Sequence, residues 1–147
     1  MGYCRGARGI NRRTIEIVLD TNMLMLISSG INIFDQIEEK LAIKPRYVVL
    51  TQVIEELEKL AKKGKPATRK KAKFALEIVE RYCKIVNTNT GTEYKSVDEA
   101  ILEYALRKGA IVATNDKELR RKLRENCIPE IYIREESMRI NIEGIEL

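Results

Sequence analysis

The sequence predicts a three-layer α/β/α sandwich, in which helices cover both faces of a central, mostly parallel and twisted sheet of five strands. Short runs rich in Val and Ile alternate along the chain with longer segments whose apolar residues recur at helical spacing. This alternation is typical of parallel sheets whose strands are joined by helical crossovers. The length of 147 residues also suits one domain.

The first half of the chain is predicted to contain two strands and four helices. Asp20 or Asn22 can cap the first helix, and Thr51 can cap the third. Gly64 ends the third helix, and Pro66 suits the first turn of the fourth. In chain order the predicted elements are strand 15–19, helix 22–29, helix 34–42, strand 46–50, helix 52–63 and helix 66–82.

The second half is predicted to contain three strands and two helices. Ser96 can cap the first of these helices and Gly109 can end it. The polar stretch 87–96 is predicted to be a loop, and the alternating tail 138–147 can add an edge strand. The predicted elements are strand 84–86, helix 96–108, strand 110–113, helix 116–125 and strand 131–133.

The chain is predicted to form one domain over residues 14–147, preceded by a basic arm, residues 1–13, that is expected to be disordered. No apolar run approaches the roughly 18 residues that a membrane-spanning helix needs, so no membrane partner is expected. Cys4, Cys83 and Cys127 are odd in number and far apart. This argues against a disulfide framework and for a reducing, cytoplasmic setting.

The composition narrows the possible chemistry. The chain has 27 Lys and Arg against 22 Asp and Glu, and the resulting net charge of +5 fits a polyanionic partner. It has no histidine, which excludes Ser-His-Asp and Cys-His catalysis and zinc sites with His ligands. Carboxylates, Lys, Tyr or a metal-bound water must therefore transfer protons if the protein is an enzyme.

Acidic residues lie near the carboxyl ends of several predicted strands. Asp20 ends the first strand, and Asp116 follows the fourth. The helix after the second strand carries Glu56 and Glu58, and Asp98 lies in the first turn of the helix before the fourth strand. Because ligands bind beyond the carboxyl ends of parallel strands, four acidic positions are expected to converge on one site.

Asp98 conflicts with the pattern of its own helix. Helical spacing aligns it with four apolar residues, Ile101, Leu102, Ala105 and Leu106. The alternative is that Asp98 only stabilises the helix dipole. Ser96 and Glu99 already form a possible capping box, and an acid within an apolar stripe is typical of a functional site. The functional interpretation is therefore favoured.

The other acids have alternatives of their own. Glu56 and Glu58 lie on the two margins of the apolar face of their helix, and periodicity does not choose between them. Asp20 and Asp116 can each be a helix N-cap, although Asn22 offers another cap for the first helix. Four acids at one end of one sheet are harder to explain as caps than each acid alone.

Crowded carboxylates repel one another, and divalent cations relieve that repulsion. Mg²⁺ and Mn²⁺ prefer oxygen ligands. One ion can activate an attacking water, and a second, about 3.5–4 Å away, can stabilise the leaving oxygen of a phosphodiester. The acids and the basic surface together predict a metal-dependent enzyme whose substrate carries phosphates.

The acidic segments resemble, in order and spacing, the four motifs of the PIN-domain nucleases: VLDTNMLM, VIEELEKL, SVDEAILEYA and IVATNDKELRRKL. The resemblance extends over most of the chain, from about Ile15 to Met138. Within this family, the sequence resembles the branch that includes the endonuclease maturing small-subunit ribosomal RNA, and it also resembles the VapC-type toxins. The resemblance implies Mg²⁺- or Mn²⁺-dependent hydrolysis of single-stranded RNA. The zinc-binding insertion and longer flank of larger members are missing here.

The resemblance also implies roles for individual residues. It assigns catalysis and metal binding to four acids, Asp20, Glu56, Asp98 and Asp116. Glu56 is chosen because the Glu of the second motif directly precedes its Leu, here Leu57. The auxiliary polar residues that match the family are Thr21, Asn22, Thr114, Asn115 and Glu118.

Two basic stretches are candidates for contacts with RNA phosphates. Solvated helix faces are the alternative explanation for them. The candidates are Lys62, Lys63, Lys65, Arg69, Lys70, Lys71, Lys73, Arg120 and Arg121. Aromatic residues make up only 5% of the chain, so base stacking is not strongly indicated, and Tyr94 is the one aromatic candidate.

The main hypothesis is a metal-dependent endoribonuclease that processes ribosomal RNA or acts as a toxin. The expected partners are RNA, an antitoxin or a ribosome-assembly protein, and a second copy of the chain in a homodimer. One alternative is an RNA-binding scaffold in ribosome assembly that lacks strong catalysis. A phosphate-receiver domain is disfavoured, because Arg134 and two acids follow the last predicted strand where a Lys would be needed.

Overall fold

The computed structural model describes residues 15–88 and 96–145. The predicted basic arm and Tyr94 lie outside these residues. Within them, six strands and six helices follow in the order β1 Glu16–Leu19, α1 Thr21–Ser28, α2 Ile33–Leu41, β2 Arg46–Leu50, α3 Thr51–Lys63, α4 Pro66–Tyr82, β3 Cys83–Val86, α5 Val97–Lys108, β4 Ile111–Ala113, α6 Lys117–Glu125, β5 Glu130–Arg134 and β6 Arg139–Glu143.

The strands form one sheet in the order β3-β2-β1-β4-β5-β6. Strands β1 to β5 are parallel, and β6 is antiparallel to β5. The chain moves outward from β1 to β3 and then returns to β4 on the other side of β1. Right-handed crossovers therefore place α1 to α4 on one face and α5 and α6 on the other. The three-layer, mostly parallel sandwich is confirmed.

The reversal of strand order beside β1 creates the crevice in which open α/β sheets bind ligands. The central strands are buried on both faces, and Ile17, Val18 and Leu19 of β1 are fully inaccessible to solvent. Burial on both faces explains why these strands are continuous apolar runs rather than alternating ones. The rigid centre of the sheet holds the segments that follow β1 and β4.

The sheet has a sixth strand in addition to the five predicted ones. The tail forms β6, and the side chain of Gln36 on α2 holds it in place. The Gln36 amide oxygen accepts a hydrogen bond from the Ile140 amide at 2.9 Å, and its nitrogen donates to the Met138 carbonyl at 3.1 Å. Alternation of apolar and polar residues in the tail does not reveal contacts over this sequence distance. The sequence therefore predicted only that the tail can add a strand.

Two local predictions differ from the structure. In α5 the buried residues are Ala100, Ile101, Tyr104 and Ala105. Leu106 is 39% exposed, and Asp98 lies at the margin of the apolar stripe rather than within it. The predicted cap Thr51 lies inside α3, whose N-cap position is occupied by Leu50 without a side-chain capping bond.

The cysteines differ in their chemical state. Cys83 has a free thiol, and burial raises its pKa to about 12. Cys127 is disulfide-bonded, which the wide spacing of the cysteines did not indicate. None of the helices in the described part of the chain combines the length and the apolar character needed to cross a bilayer.

Candidate active site

The four predicted acids line one cavity at the carboxyl edge of the sheet. This cavity, about 560 Å³ in volume, is called the acidic cavity here. Asp20 follows β1, Glu56 lies on α3, Asp98 lies in the first turn of α5, and Asp116 follows β4. Glu58, which periodicity left as an alternative to Glu56, does not line it. Segments that are distant in sequence thus present four carboxyl groups to one space.

Asp20 is buried and is held by two hydrogen bonds. Its carboxylate accepts from the Met23 amide at 2.7 Å, which caps α1, and from the Thr114 hydroxyl. Burial raises the pKa of the Asp20 carboxyl to about 6, although the bonds from Thr114 and Met23 oppose this rise. The charges of Asp98 and Asp116 raise it further. Asp20 is therefore both a helix cap and part of the cavity wall.

Asp98 is not used for capping. The Ser96 hydroxyl accepts a hydrogen bond from the Glu99 amide at 3.1 Å and caps α5, which is one of the two bonds of the predicted capping box. Burial raises the pKa of the Asp98 carboxyl, and the charge of Asp116 raises it next, partly offset by Lys122. Asp98 thus lies in the negative field of the other acids.

Asp116 and Glu56 are fixed by local hydrogen bonds. Asp116 caps α6 by accepting the Leu119 amide at 2.8 Å through one oxygen. The Thr21 hydroxyl donates to the Glu56 carboxylate, which orients that side chain toward α1. Each of these two caps occupies one carboxylate oxygen, and the second oxygen of Asp20 accepts the Thr114 hydroxyl.

The predicted auxiliary residues separate into two groups. Thr21 and Asn22 line the acidic cavity, and the buried Thr114 links its two sides. The Thr114 hydroxyl donates to Asp20 and accepts the Asp116 amide at 3.0 Å. Asn115 and Glu118 lie elsewhere.

Asn115 fastens β5 to the segment after β4. Its side chain donates to the Ile133 carbonyl at 3.1 Å and accepts the Ile133 amide at 2.7 Å. Glu118 is exposed and pairs with Arg121 at 2.5 Å, which lowers the pKa of its carboxyl. Glu118 does not line the acidic cavity, but its charge contributes to the raised pKa of the Asp98 carboxyl.

Two lysines in the cavity wall were missed by the sequence interpretation as partners of the acids. Lys59 was not singled out at all, and Lys63 was considered only as part of a basic surface. Both line the acidic cavity with Glu56. Their spacing of three and seven residues from Glu56 places all three on one side of α3, and this spacing is the signal that was available.

The predicted basic residues also fall into different environments. Those on α3, α4 and the turn between them are exposed. Arg120 instead donates to the buried Glu130 at 2.6 Å and stacks on the Tyr132 ring at 3.6 Å. Arg121 bridges Glu118 and Glu125 on α6. The guanidinium of Arg120 is thus engaged within the fold, unlike the exposed basic residues of α3 and α4.

The donor set suits a hard divalent cation. The acidic cavity offers carboxylate, hydroxyl and amide oxygens, the ligands that Mg²⁺ and Mn²⁺ prefer. Among residues 15–88 and 96–145, no three acidic or Cys side chains stand together as a ready-made set of ligands. Mg²⁺ normally keeps several waters and binds through one or two carboxylates and substrate phosphates, so the open arrangement fits such an ion.

Comparison with known proteins agrees with this geometry. Residues 17–136 match the family described as PIN like domain. Ribonuclease VapC4 of Methanocaldococcus jannaschii is 40% identical over 126 residues, which cover 82% of this chain and 91% of that protein. Ribonuclease VapC9 of Archaeoglobus fulgidus is 31% identical over 140 residues, which cover 95% of this chain and 97% of that protein.

Solved structures agree as well. The structure of the PIN domain endonuclease Utp24 is similar with a TM-score of 0.66 at 26% sequence identity. The similar region covers 88% of this chain and 92% of that chain.

Proposed function

The chain belongs to the PIN-like domain family, and from this premise we propose that it is an endoribonuclease that hydrolyses phosphodiester bonds of single-stranded RNA. The observation that carries the proposal is the acidic cavity, where carboxyl groups from four separate segments meet beside two lysines. The names of the two relatives, both ribonucleases, support the same activity.

The carboxylates that would hold Mg²⁺ or Mn²⁺ are Asp20, Glu56, Asp98 and Asp116. When bound, such an ion supplies an activated water and charge neutralisation at the phosphate. The protein's own contribution is to orient these carboxylates. Thr114 fixes Asp20 and the Asp116 backbone, and Thr21 fixes Glu56. We assign auxiliary positioning roles to both threonines, and Asn22 lies where it can contact substrate or ion water.

The lysines provide the attraction that the substrate needs. A cavity lined only by acids repels a phosphate, and Lys59 and Lys63 offset that repulsion from one wall. The exposed basic residues that continue this surface toward α4 are Lys62, Lys65, Arg69, Lys70, Lys71 and Lys73. We propose that they contact phosphates flanking the cleaved bond, a contribution that salt weakens.

A toxin-type role is favoured over processing of ribosomal RNA, because both relatives carry the name VapC. In that role the protein acts in the cytoplasm and has an antitoxin partner. The similarity to the PIN domain endonuclease Utp24 keeps RNA processing, with a ribosome-assembly partner, as the second candidate. A homodimer is proposed for either role. A scaffold without catalysis is less favoured, because all four acids are present in one cavity.

The test of the proposed function is cleavage of a labelled single-stranded RNA with added Mn²⁺. We expect the double variant Asp20→Asn and Asp116→Asn to lose cleavage, because two of the four carboxylates are neutralised. Glu58→Gln is the matched control, since Glu58 lies on the same helix as Glu56 but outside the cavity, and it should keep full activity. Undiminished cleavage by the double variant would end the catalytic proposal.

A further inference from the structure

A second polar cavity, also about 560 Å³ in volume, lies between the edge strand β3 and the helix α5. It is called the β3–α5 groove here. Four cations line it, Arg46, Lys84, Arg107 and Lys108. We propose that this groove binds the phosphate backbone of the RNA strand beyond the acidic cavity. The proposal rests on the proposed function and names a second contact surface for the same substrate.

The fold places cations from three elements on one side of the sheet. Tyr47 of β2 contacts Phe34 of α2, with ring centroids 4.3 Å apart, so Tyr47 faces the layer of α1 to α4. Side chains alternate along a strand, and its neighbour Arg46 therefore faces the α5 layer. Strand β3 pairs in register with β2, Val48 opposite Lys84, which places Lys84 on that same side.

Helix α5 supplies the other wall. It begins beside the acidic cavity at Val97 and ends at Lys108, so Arg107 and Lys108 lie near the opposite edge of the sheet. Strand β3 is the outermost strand of the sheet, and Lys84 is exposed. The groove is therefore open to a ligand along the side of the molecule.

The charge of the groove remains positive after internal pairing is considered. Two carboxylates line it, Glu16 and Glu103. Glu16 is already engaged, because it accepts the Tyr104 hydroxyl at 2.6 Å and lies 3.8 Å from Arg46. Lys84 and Lys108 form no ion pair within residues 15–88 and 96–145. Exposed cations without protein partners suit the phosphates of a nucleic acid.

One end of the groove, at Thr88, lies near the carboxyl ends of the strands, where the four acids also lie. The groove runs along β3 from Lys84 to the buried Thr88, a distance of roughly 13 Å at about 3.3 Å per residue. The Thr88 hydroxyl lies 3.3 Å from that of Thr51 and donates to Gln52, at the start of the helix that carries Glu56. The end of the groove thus contacts the start of the helix that carries Glu56, and the proposed RNA strand runs from the groove toward the acidic cavity.

A protective role against edge-to-edge aggregation explains part of this pattern. Lys on an exposed edge strand blocks pairing with another sheet, and this accounts for Lys84. It does not account for Arg107 and Lys108, which lie on a helix. Convergence of cations from separate elements on one concave surface favours a phosphate ligand over a solvated edge.

The test measures binding without cleavage. Fluorescence anisotropy of labelled single-stranded RNA in EDTA compares the full chain with the triple variant Lys84→Ala, Arg107→Ala and Lys108→Ala. The matched control is Lys40→Ala, Arg134→Ala and Arg139→Ala, which removes the same charge from exposed positions outside both cavities. We expect the groove variant alone to lower affinity and to reduce the slope of log K against log salt by about 2, since each phosphate contact to a single strand contributes about 0.7.

RNA length provides a second readout. The loss in the groove variant should grow with RNA length over about 4 to 16 nucleotides, the range of single-strand binding sites, because short strands fill only the acidic cavity. Equal binding by the groove and control variants overturns the proposal. So does a groove variant that changes only the oligomeric state in size-exclusion chromatography.

The two proposals can fail separately. If the Asp20→Asn and Asp116→Asn variant still cleaves RNA, the catalytic proposal fails, and the anisotropy result still decides the groove. If cleavage depends on the acids but the groove variant binds RNA like the control, only the groove proposal fails.

Discussion

Asp20 combines a structural and a chemical role in a single side chain. It caps α1 through the Met23 amide and lines the acidic cavity while remaining buried. Burial raises the pKa of its carboxyl from 3.8 to about 6. At about 1.4 kcal/mol per pK unit, holding this group ionised in the ion-free protein costs on the order of 3 kcal/mol.

This cost predicts an unusual dependence of stability on pH. The folded pKa of Asp20 lies above the unfolded one, so its favourable contribution is fully present below about pH 4 and is lost as pH rises through about 6. The raised pKa of Asp98 acts in the same direction. We compare the free energies of unfolding of Asp20→Asn and the natural protein in EDTA. The difference between them should shift in favour of the variant by about 3 kcal/mol from pH 4 to pH 7.

Urea denaturation at a series of pH values measures this difference. Asp35→Asn is the control, because Asp35 lies in the first turn of α2, is exposed and is outside the acidic cavity. Parallel pH profiles for Asp20→Asn and the natural protein would contradict the electrostatic account. A pH-independent loss of stability in Asp20→Asn would indicate that capping α1 is the dominant role.

At the scale of elements, α3 presents the functional groups of one cavity wall along one side. Glu56, Lys59 and Lys63 succeed one another there, while Lys62 on the same helix is exposed and does not line the cavity. A charge-assisted contact between lysine and phosphate contributes about 1.5–3 kcal/mol. We therefore predict that Lys59→Gln lowers kcat/KM for RNA cleavage by about 10- to 100-fold.

Lys40→Gln should change kcat/KM far less, because it removes the same charge from an exposed position on α2, outside the acidic cavity and outside the proposed RNA surface. Steady-state cleavage kinetics with both variants measure the difference, and thermal unfolding checks that the fold is retained. Equal effects of the two substitutions would reduce Lys59 to a general contribution of net charge.

Arg120 joins α6 to β5 within the fold, and we predict that its main contribution is to stability. Arg120 pairs with Glu130, whose side chain is only 2% exposed, and stacks on Tyr132. Removing one partner of a buried ion pair typically costs about 3–5 kcal/mol, because the other charge stays buried without compensation. Arg124 lies 3.9 Å from the same Glu130 oxygen and compensates part of this charge, so Arg120→Ala should lower the free energy of unfolding by about 3 kcal/mol, the lower end of this range.

Arg121→Ala is the neighbouring comparison. Its pairs with Glu118 and Glu125 are exposed, and such surface pairs contribute little to stability, so Arg121→Ala should change the free energy of unfolding much less than Arg120→Ala. Chemical denaturation of both variants tests the contrast. A small effect of Arg120→Ala on stability, together with a large loss of RNA affinity, would return Arg120 to the RNA surface.

The elements with clear punctuation were the most predictable from sequence. Pro66 and the apolar spacing after it define α4, and Ser96 and Gly109 bound α5 as predicted. The buried face of α5 was less predictable, because Tyr104 is a residue whose ring packs inside while its hydroxyl reaches Glu16. A pattern that counts only aliphatic residues therefore selected Leu106 instead.

The site residues that have a recognisable local sequence pattern could be predicted. Those that reach the site only because of the three-dimensional fold could not. Acids after strands could be located because the edge of a parallel sheet collects them. Lys59 carried no sign beyond its spacing from Glu56. Arg120 and Arg121 are adjacent in sequence, yet Arg120 is half-buried against Glu130 and Arg121 is exposed. A run of charges in the sequence does not distinguish these environments.

At the scale of the whole molecule, the topology creates an uneven distribution of charge. The chain carries a net charge of +5, but four carboxyl groups meet in the acidic cavity. They belong to Asp20, Glu56, Asp98 and Asp116. The surrounding cations attract a polyanion over distances comparable to the Debye length, about 8 Å at physiological salt. The basic surface is thus expected to attract the RNA strand, and the acidic cavity is expected to bind the ion.

Binding of an ion to the acidic cavity should stabilise the whole fold. The segments that carry Asp20, Glu56, Asp98 and Asp116 belong to both layers of helices, and a cation removes the repulsion between them. At a concentration of about 100 Kd, Mn²⁺ should raise the free energy of unfolding by about 2.7 kcal/mol, seen as an increase in Tm of several degrees.

The variant with Asp20→Asn and Asp116→Asn should lose this Mn²⁺-dependent increase while having a higher Tm than the natural protein in EDTA, because its acids repel less. Asp35→Asn is again the control, and its response to Mn²⁺ should match that of the natural protein. An equal increase in the double variant would place the bound ion elsewhere.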